Sequence, residues 1–119
     1  MKKLITVSLL SLLLLSCHSQ DCTKLPERFA SYQQAINLVE KSVFKIKETA
    51  NTIGSSWLTS AKFYSCDGIT GYIIYTTNKD YEYIHYGVPA YIWDGFKAAT
   101  SKGTYYNANI KNRYPVNLK

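Results

Sequence analysis

His85 is the side chain whose ordinary titration range best suits proton transfer near neutral pH; the other histidine is His18. It lies in the run Tyr81-Glu82-Tyr83-Ile84-His85-Tyr86-Gly87-Val88-Pro89. A general base needs a partner that orients it and a group within hydrogen-bond reach to deprotonate. Asp67, Asp80 and Asp94 sit at turns or near a helix, where aspartate bonds its own backbone. Cys66 precedes Asp67 with no cation beside it to favour the thiolate. No serine elbow, phosphate loop or metal-ligand spacing is present in the chain. The expectation is therefore no catalysis, no cofactor and no metal, with His85 a hydrogen-bonded strand residue.

The same run offers a second chemistry. Aromatic rings on a sheet face can stack planar ligands. The competing reading makes those rings core, packed under a helix that carries Trp93 and Phe96. The C-terminal end is basic, with Lys97, Lys102, Lys111, Arg113 and Lys119 and no acid after Asp94. That suits an anionic partner or a plain solvated tail. The candidate binding residues are Tyr81, Tyr83, His85, Tyr86, Lys102, Tyr106, Lys111 and Arg113.

Local signals predict the elements that must position these groups. Trp57 to Ser65, Gly71 to Thr77 and Tyr81 to Tyr86 read as strands. Asp67-Gly68 and Asn78-Lys79-Asp80 read as the turns between them. Short connections favour an antiparallel meander. Period two places Tyr81, Tyr83 and His85 on one face and Glu82, Ile84 and Tyr86 on the other. Tyr72 or Tyr75, opposite Tyr86, would then form an exposed aromatic patch. Gly87 permits a tight bend and Pro89 suits a helix start. Ile92, Trp93, Phe96 and Ala99 give that helix one apolar face, and Ser101 caps a shorter one. The fold class is α+β: an N-terminal helix, a three-stranded antiparallel meander, and a C-terminal helix plus a short helix packed on the sheet.

Before the strands, Phe29, Tyr32, Ile36, Val39, Val43, Ile46, Ala50 and Ile53 step by threes and fours. That predicts a helical segment over 26–54, entered at Pro26 and stopped at Gly54. Such a helix would reach ~40 Å, more than a small sheet covers. Its stripe packs within the chain or, alternatively, forms a homodimer. Ser42 to Lys47 is rich in β-branched and aromatic residues, which runs against the helix.

The N-terminus carries a different signal. Lys2 and Lys3 precede a leucine-rich run from Leu4 to Leu15. About a dozen apolar residues are too few to span a bilayer, which takes ~20, but they fit an export signal. Leu14-Leu15-Ser16-Cys17 matches the bacterial lipobox, which implies cleavage before Cys17 and acylation of that cysteine. Two or three acyl chains anchor stably where one does not. The expected layout is a signal peptide over 1–16, a lipidated tether over 17–25, the helical segment over 26–54, a domain over 55–114 and a basic tail over 115–119. The chain has 14 basic and 8 acidic side chains, net +6; without Lys2 and Lys3 the excess is +4. The remaining cysteines, Cys22 and Cys66, are a candidate disulfide in an oxidising compartment or two free thiols.

Several segments together resemble the KTSC domain. They are Ser55-Ser56-Trp57-Leu58, Tyr83-Ile84-His85-Tyr86-Gly87-Val88-Pro89, Ala99-Thr100-Ser101-Lys102-Gly103-Thr104-Tyr105-Tyr106-Asn107, then Ile110 and Tyr114. The likeness covers about Ile53 to Tyr114. This small bacterial domain also occurs at the C-terminus of certain lysyl-tRNA synthetases. Its Tyr-x-Tyr register falls here on Tyr83 and His85, so histidine replaces the second tyrosine. The resemblance implies RNA binding as one function. Export opposes it, because cellular RNA lies on the other side of the membrane. The expected function is a membrane-tethered, non-catalytic binding module on the cell envelope, held to the periplasmic face by its lipid. Its partner would be a protein or an anionic group. A protective role, as an immunity or phage-exclusion lipoprotein, suits that design.

Overall fold

The structure, a computed structural model, describes residues 20–119. The expected signal peptide, Cys17 and the first part of the tether lie outside the described residues. Within them the chain forms an α+β fold of three layers. Helix α1 (Tyr32–Lys41) covers one face of a four-stranded antiparallel sheet. Helices α2 (Ala90–Ala98) and α3 (Lys102–Asn109) lie on the other side. The strands β1 (Ile46–Thr49), β2 (Leu58–Ser65), β3 (Thr70–Thr77) and β4 (Glu82–Pro89) lie side by side in chain order.

The long N-terminal helix is corrected to ten residues. Its start is a reciprocal cap at Ser31, not Pro26. Ser31 Oγ accepts from the Gln34 N–H at 3.1 Å, and Gln34 Oε1 accepts from the Ala30 N–H at 2.6 Å. It stops at Ser42, whose hydroxyl donates to the Leu38 carbonyl at 2.6 Å and whose backbone is already extended. Val43 to Lys47 then favours strand, and β1 pairs with β2 from Ile46↔Ser65 to Thr49↔Lys62. The misreading has a simple cause. A step of four fits a helical turn, but it is also even, so it keeps a residue on one face of a strand. Ile46 and Ala50 therefore reach one core in a strand-like arrangement. Ile36 and Val39 are buried on the chain's own sheet, which removes the continuous stripe that a helical homodimer required. β1, which precedes Gly54, and β2, which follows it, belong to one sheet.

The face under α2 holds Ala61, Phe63, Ile73, Tyr75, Val88, Ile92, Trp93, Phe96 and Ile110. Trp93 stacks on Phe63 with ring centres 5.4 Å apart. Its Nε1–H donates to Glu48 Oε1 at 2.8 Å, and Lys97 Nζ donates to the same oxygen at 2.7 Å. The edge strand is thus tied to α2. These two bonds, that from Lys97 foremost, hold the Glu48 carboxyl below its usual range.

The opposite face packs Tyr64, Tyr72, Ile74 and Ile84 against α1, with Phe29 and Val116 completing it. This corrects the exposed aromatic patch: Tyr72 and Tyr75 are both buried, and they face opposite sides of the sheet. α1 covers the face that carries Tyr72, and Tyr75 packs in the core on the α2 side. Burying each large apolar side chain stabilises the fold by about 1.5–3 kcal/mol.

The basic tail is packed rather than loose. The Phe29 N–H donates to the Asn117 carbonyl, and the Lys119 N–H donates to the Phe29 carbonyl, both at 2.9 Å. Cys22 and Cys66 are joined, with Cα atoms 5.9 Å apart. Their sulfurs lie beside Asp21, so these three residues read as a disulfide with a neighbouring carboxylate.

Candidate binding groove

β4 needs a local irregularity to aim its aromatic side chains. Tyr86 and Gly87 together oppose the single residue Tyr72, because the register moves from Gly71↔Val88 to Ile73↔His85. Gly87 takes φ +71° in this bulge, a conformation that glycine adopts without strain. The extra residue reverses the alternation, so His85 and Val88 face the α2 side while Ile84 and Tyr86 face α1. Tyr83 and His85 lie toward the far end of this face, past the region α2 covers.

There they stack on Tyr75. The Tyr83 ring lies 5.1 Å from the Tyr75 ring and the His85 ring 5.7 Å from it, both nearly parallel. Tyr106 comes in from α3. Tyr75 Oη donates to Tyr106 Oη at 2.8 Å, and Tyr106 Oη lies 3.3 Å from His85 Nε2. Burial lowers the His85 pKa, against a smaller opposing effect of a hydrogen bond to the Tyr114 backbone. A neutral imidazole has one accepting nitrogen, so Nε2 can accept from the Tyr106 hydroxyl. Burial, and next the bond to Tyr106, push the Tyr75 hydroxyl far up, so it stays a donor.

The KTSC-like segment around α3 builds the other wall. Ser101 Oγ accepts from the Thr104 N–H at 3.2 Å and caps the helix. Gly103 passes so close to Trp57 that a Cβ would lie 3.0 Å from its Nε1. Tyr105 Oη donates to the Ile92 carbonyl at 3.0 Å, locking α3 to α2. Trp57 then meets both Tyr75 and Tyr106 with ring centres 5.6 Å apart.

The result is an open groove of about 690 Å³ beside the β4 edge, lined chiefly by apolar surface. Its size lies within the roughly 300–1,000 Å³ of ligand sites. Tyr32, Trp57, Tyr75, Tyr83, His85, Tyr106, Lys111 and Tyr114 line it, with Glu82 and Asn112 at polar positions. Of the candidate binding residues, Tyr83, His85, Tyr106 and Lys111 are thus brought together.

The others are not. Tyr81 is 61% exposed on the β3–β4 turn, outside the groove lining. Tyr86 packs on Tyr72 on the opposite face. Arg113 is exposed outside the lining. Lys102 is structural: its ammonium donates to the Phe96, Lys97 and Ala99 carbonyls at 3.0–3.3 Å, filling the C-terminal end of α2.

Four aromatic groove residues carried no earlier assignment to it. Tyr75 was within reach of the sequence, since a hairpin centred on Lys79 pairs it with Tyr83. Tyr114 closes the likeness to the family without a stated role. Trp57 lies in a family-like segment that carried no groove assignment, and Tyr32 enters from α1 with no local signal for it.

A family model described as the KTSC domain matches residues 72–114. No curated protein and no solved structure matches the chain. The matched stretch runs from β3 through α3 to Tyr114. It is shorter than the likeness drawn from the sequence, and Ser55 to Leu58 fall before it. It includes Tyr75, Tyr83, His85, Tyr106 and Lys111. The two positions of the Tyr-x-Tyr register, Tyr83 and His85, stack on the same ring, so the histidine keeps the place of the tyrosine. From Tyr72 to Tyr114 the chain is similar to the KTSC domain family.

Proposed function

We propose that this chain is a membrane-tethered lipoprotein of the cell envelope. Its folded domain binds a protein partner through the Tyr75–Tyr83–His85–Tyr106 groove and performs no catalysis. The observation that carries the reading is the groove itself: stacked rings, partly exposed, with a satisfied hydrogen-bond chain behind them. Tyr83 remains 45% exposed although it lies against Tyr75. Aromatic anchors of this kind dominate the energetics of protein contacts.

Two features favour recognition over reaction. His85 Nε2 is engaged by Tyr106 rather than turned to the open groove. The groove also contains one cation, Lys111, and one carboxylate, Glu82, a balance suited to an apolar segment of a partner rather than a polyanion. A protective role at the cell surface, against a toxin or a phage, is compatible with such a surface. The test is capture from envelope extracts with the wild-type chain and with Tyr83→Ala and Tyr106→Phe. A partner retained by the wild type and lost from both variants, at a temperature where all three are fully folded, is the expected result. Equal retention by all three would overturn the groove as the binding surface.

The second reading is RNA binding, favoured by the family likeness and by Lys111 beside stackable rings. It predicts binding that weakens steeply with salt and is lost on Lys111→Ala. No binding at low salt removes it.

A further inference from the structure

We propose that the end of the domain carrying the Cys22–Cys66 bond rests on the bilayer, so that the aromatic groove points away from it. This rests on the lipoprotein reading, since it takes Cys17 as the anchored residue. From Cys17 to Cys22 is five residues, a reach of at most ~18 Å. Cys22 is not free to swing. Its N–H donates to the Val43 carbonyl at 3.0 Å, the Val43 N–H donates to the Gln20 carbonyl at 2.8 Å, and its sulfur is bonded to Cys66. The lipid therefore holds one particular end of the three-layer fold within a short distance of the headgroups.

That end is built as a surface for an interface. The α1–β1 link, the β2–β3 loop and the start of α2 converge there, the last two joined by the Ala90 N–H to the Ile69 carbonyl at 2.8 Å. Each presents one large apolar side chain to solvent: Val43 is 59% exposed, Ile69 69% and Tyr91 72%. Lys24, Lys41 and Lys45 are exposed in neighbouring segments. Of the nearby acids, Asp67 is occupied by the Ile69 and Thr70 N–H groups of its own loop. Apolar tips that enter the interfacial layer, with lysines at headgroup level, are the chemistry of a peripheral contact with an anionic bilayer. The occupant is thus the bilayer that holds the anchor.

The groove sits at the opposite end of the sheet. β2 runs from the Ser65↔Gly71 pair near the disulfide to the Leu58↔Thr77 pair beside Trp57, a span of roughly 20 Å at strand rise. Trp57, Thr77 and Tyr83 consequently face outward, where a partner can reach them.

The experiment uses the mature chain from Cys17 to Lys119, coupled through the Cys17 thiol to a maleimide lipid. The lipid sits in nanodiscs of phosphatidylcholine with phosphatidylglycerol, doped with a gadolinium-chelating lipid. The expected result is loss of amide NMR intensity at Val43, Ile69 and Tyr91, with Tyr83 and the Trp57 indole unaffected. Ile69→Ser with Tyr91→Ser should restore intensity at that end. Uniform loss along the chain, or the greatest loss at Tyr83, overturns the seating. Acylation of the natural protein is read separately from its mass. An unmodified Cys17 sinks the tether reading and this proposal with it. An acylated Cys17 with uniform broadening sinks only the seating.

Discussion

The two ends of the sheet are closed by different means. At the Cys22–Cys66 end the chain is bonded covalently, and the β2–β3 loop is held by its own side chains. Asp67 accepts from two backbone N–H groups, while Ser65 Oγ accepts from the Gly68 N–H and donates to the Thr70 carbonyl. At the other end an open groove lies beside the β4 edge, lined by Tyr83, His85 and Tyr106. The contrast separates two tasks. The disulfide and the loop hydrogen bonds are concentrated at one end, and the rings stacked on Tyr75 line the groove at the other.

The largest expected effect tests the closed end. Replacing Cys22 and Cys66 with serine, or reducing them, should cost about 4 kcal/mol on the chain-entropy model for a separation of 44 residues. Urea unfolding with and without reductant measures it. A loss below ~1 kcal/mol would mean that the Asp21–Val43 bridge and the Asp67 loop hold this end unaided. The bulge between the ends comes next. Gly87→Val should destabilise by about 1–3 kcal/mol, because valine resists φ +71°. Pro89→Ala should cost less, since Pro89 has ordinary φ and no side-chain capping bond. Equal melting temperatures for the two would show that the bulge is not what glycine serves.

The smallest effects probe the open end. Tyr106→Phe removes the link between Tyr75 and His85 and should cost about 1 kcal/mol. The His85 pKa is lowered by burial from 6.5, so the unfolded chain takes up its proton first as pH falls. The stability contribution is complete above pH 6.5 and declines as pH drops toward the lowered folded value. Melting temperatures across this range should fall for the wild type and change less for His85→Gln. Identical profiles would remove His85 as the cause.

Much of this was legible because its signals are local. Asp67-Gly68, Gly87, Ser101 and the Ile92-Trp93-Phe96 face each act within a few residues of themselves. β1 was hidden by the spacing of four that helix and strand share. The groove was half legible. Tyr83, His85 and Tyr106 come from the family-like segments and Lys111 from the basic C-terminal run, whereas Trp57, although in such a segment, and Tyr32 reach the groove from elements whose placement depends on the whole fold. Lys102 looked like a binding cation because the carbonyls it satisfies, at the end of α2, become a site only after the chain turns back on itself.

The Phe29–Leu118 bridge sets an order on biosynthesis. α1 and its partner face meet early in the chain, yet the backbone bonds that seal them are made by Asn117 and Lys119. Until residues 117 to 119 have been made and have left the ribosome, α1 and its face lack that seal. The face closes only when Phe29 meets a stretch 89 residues further along the chain.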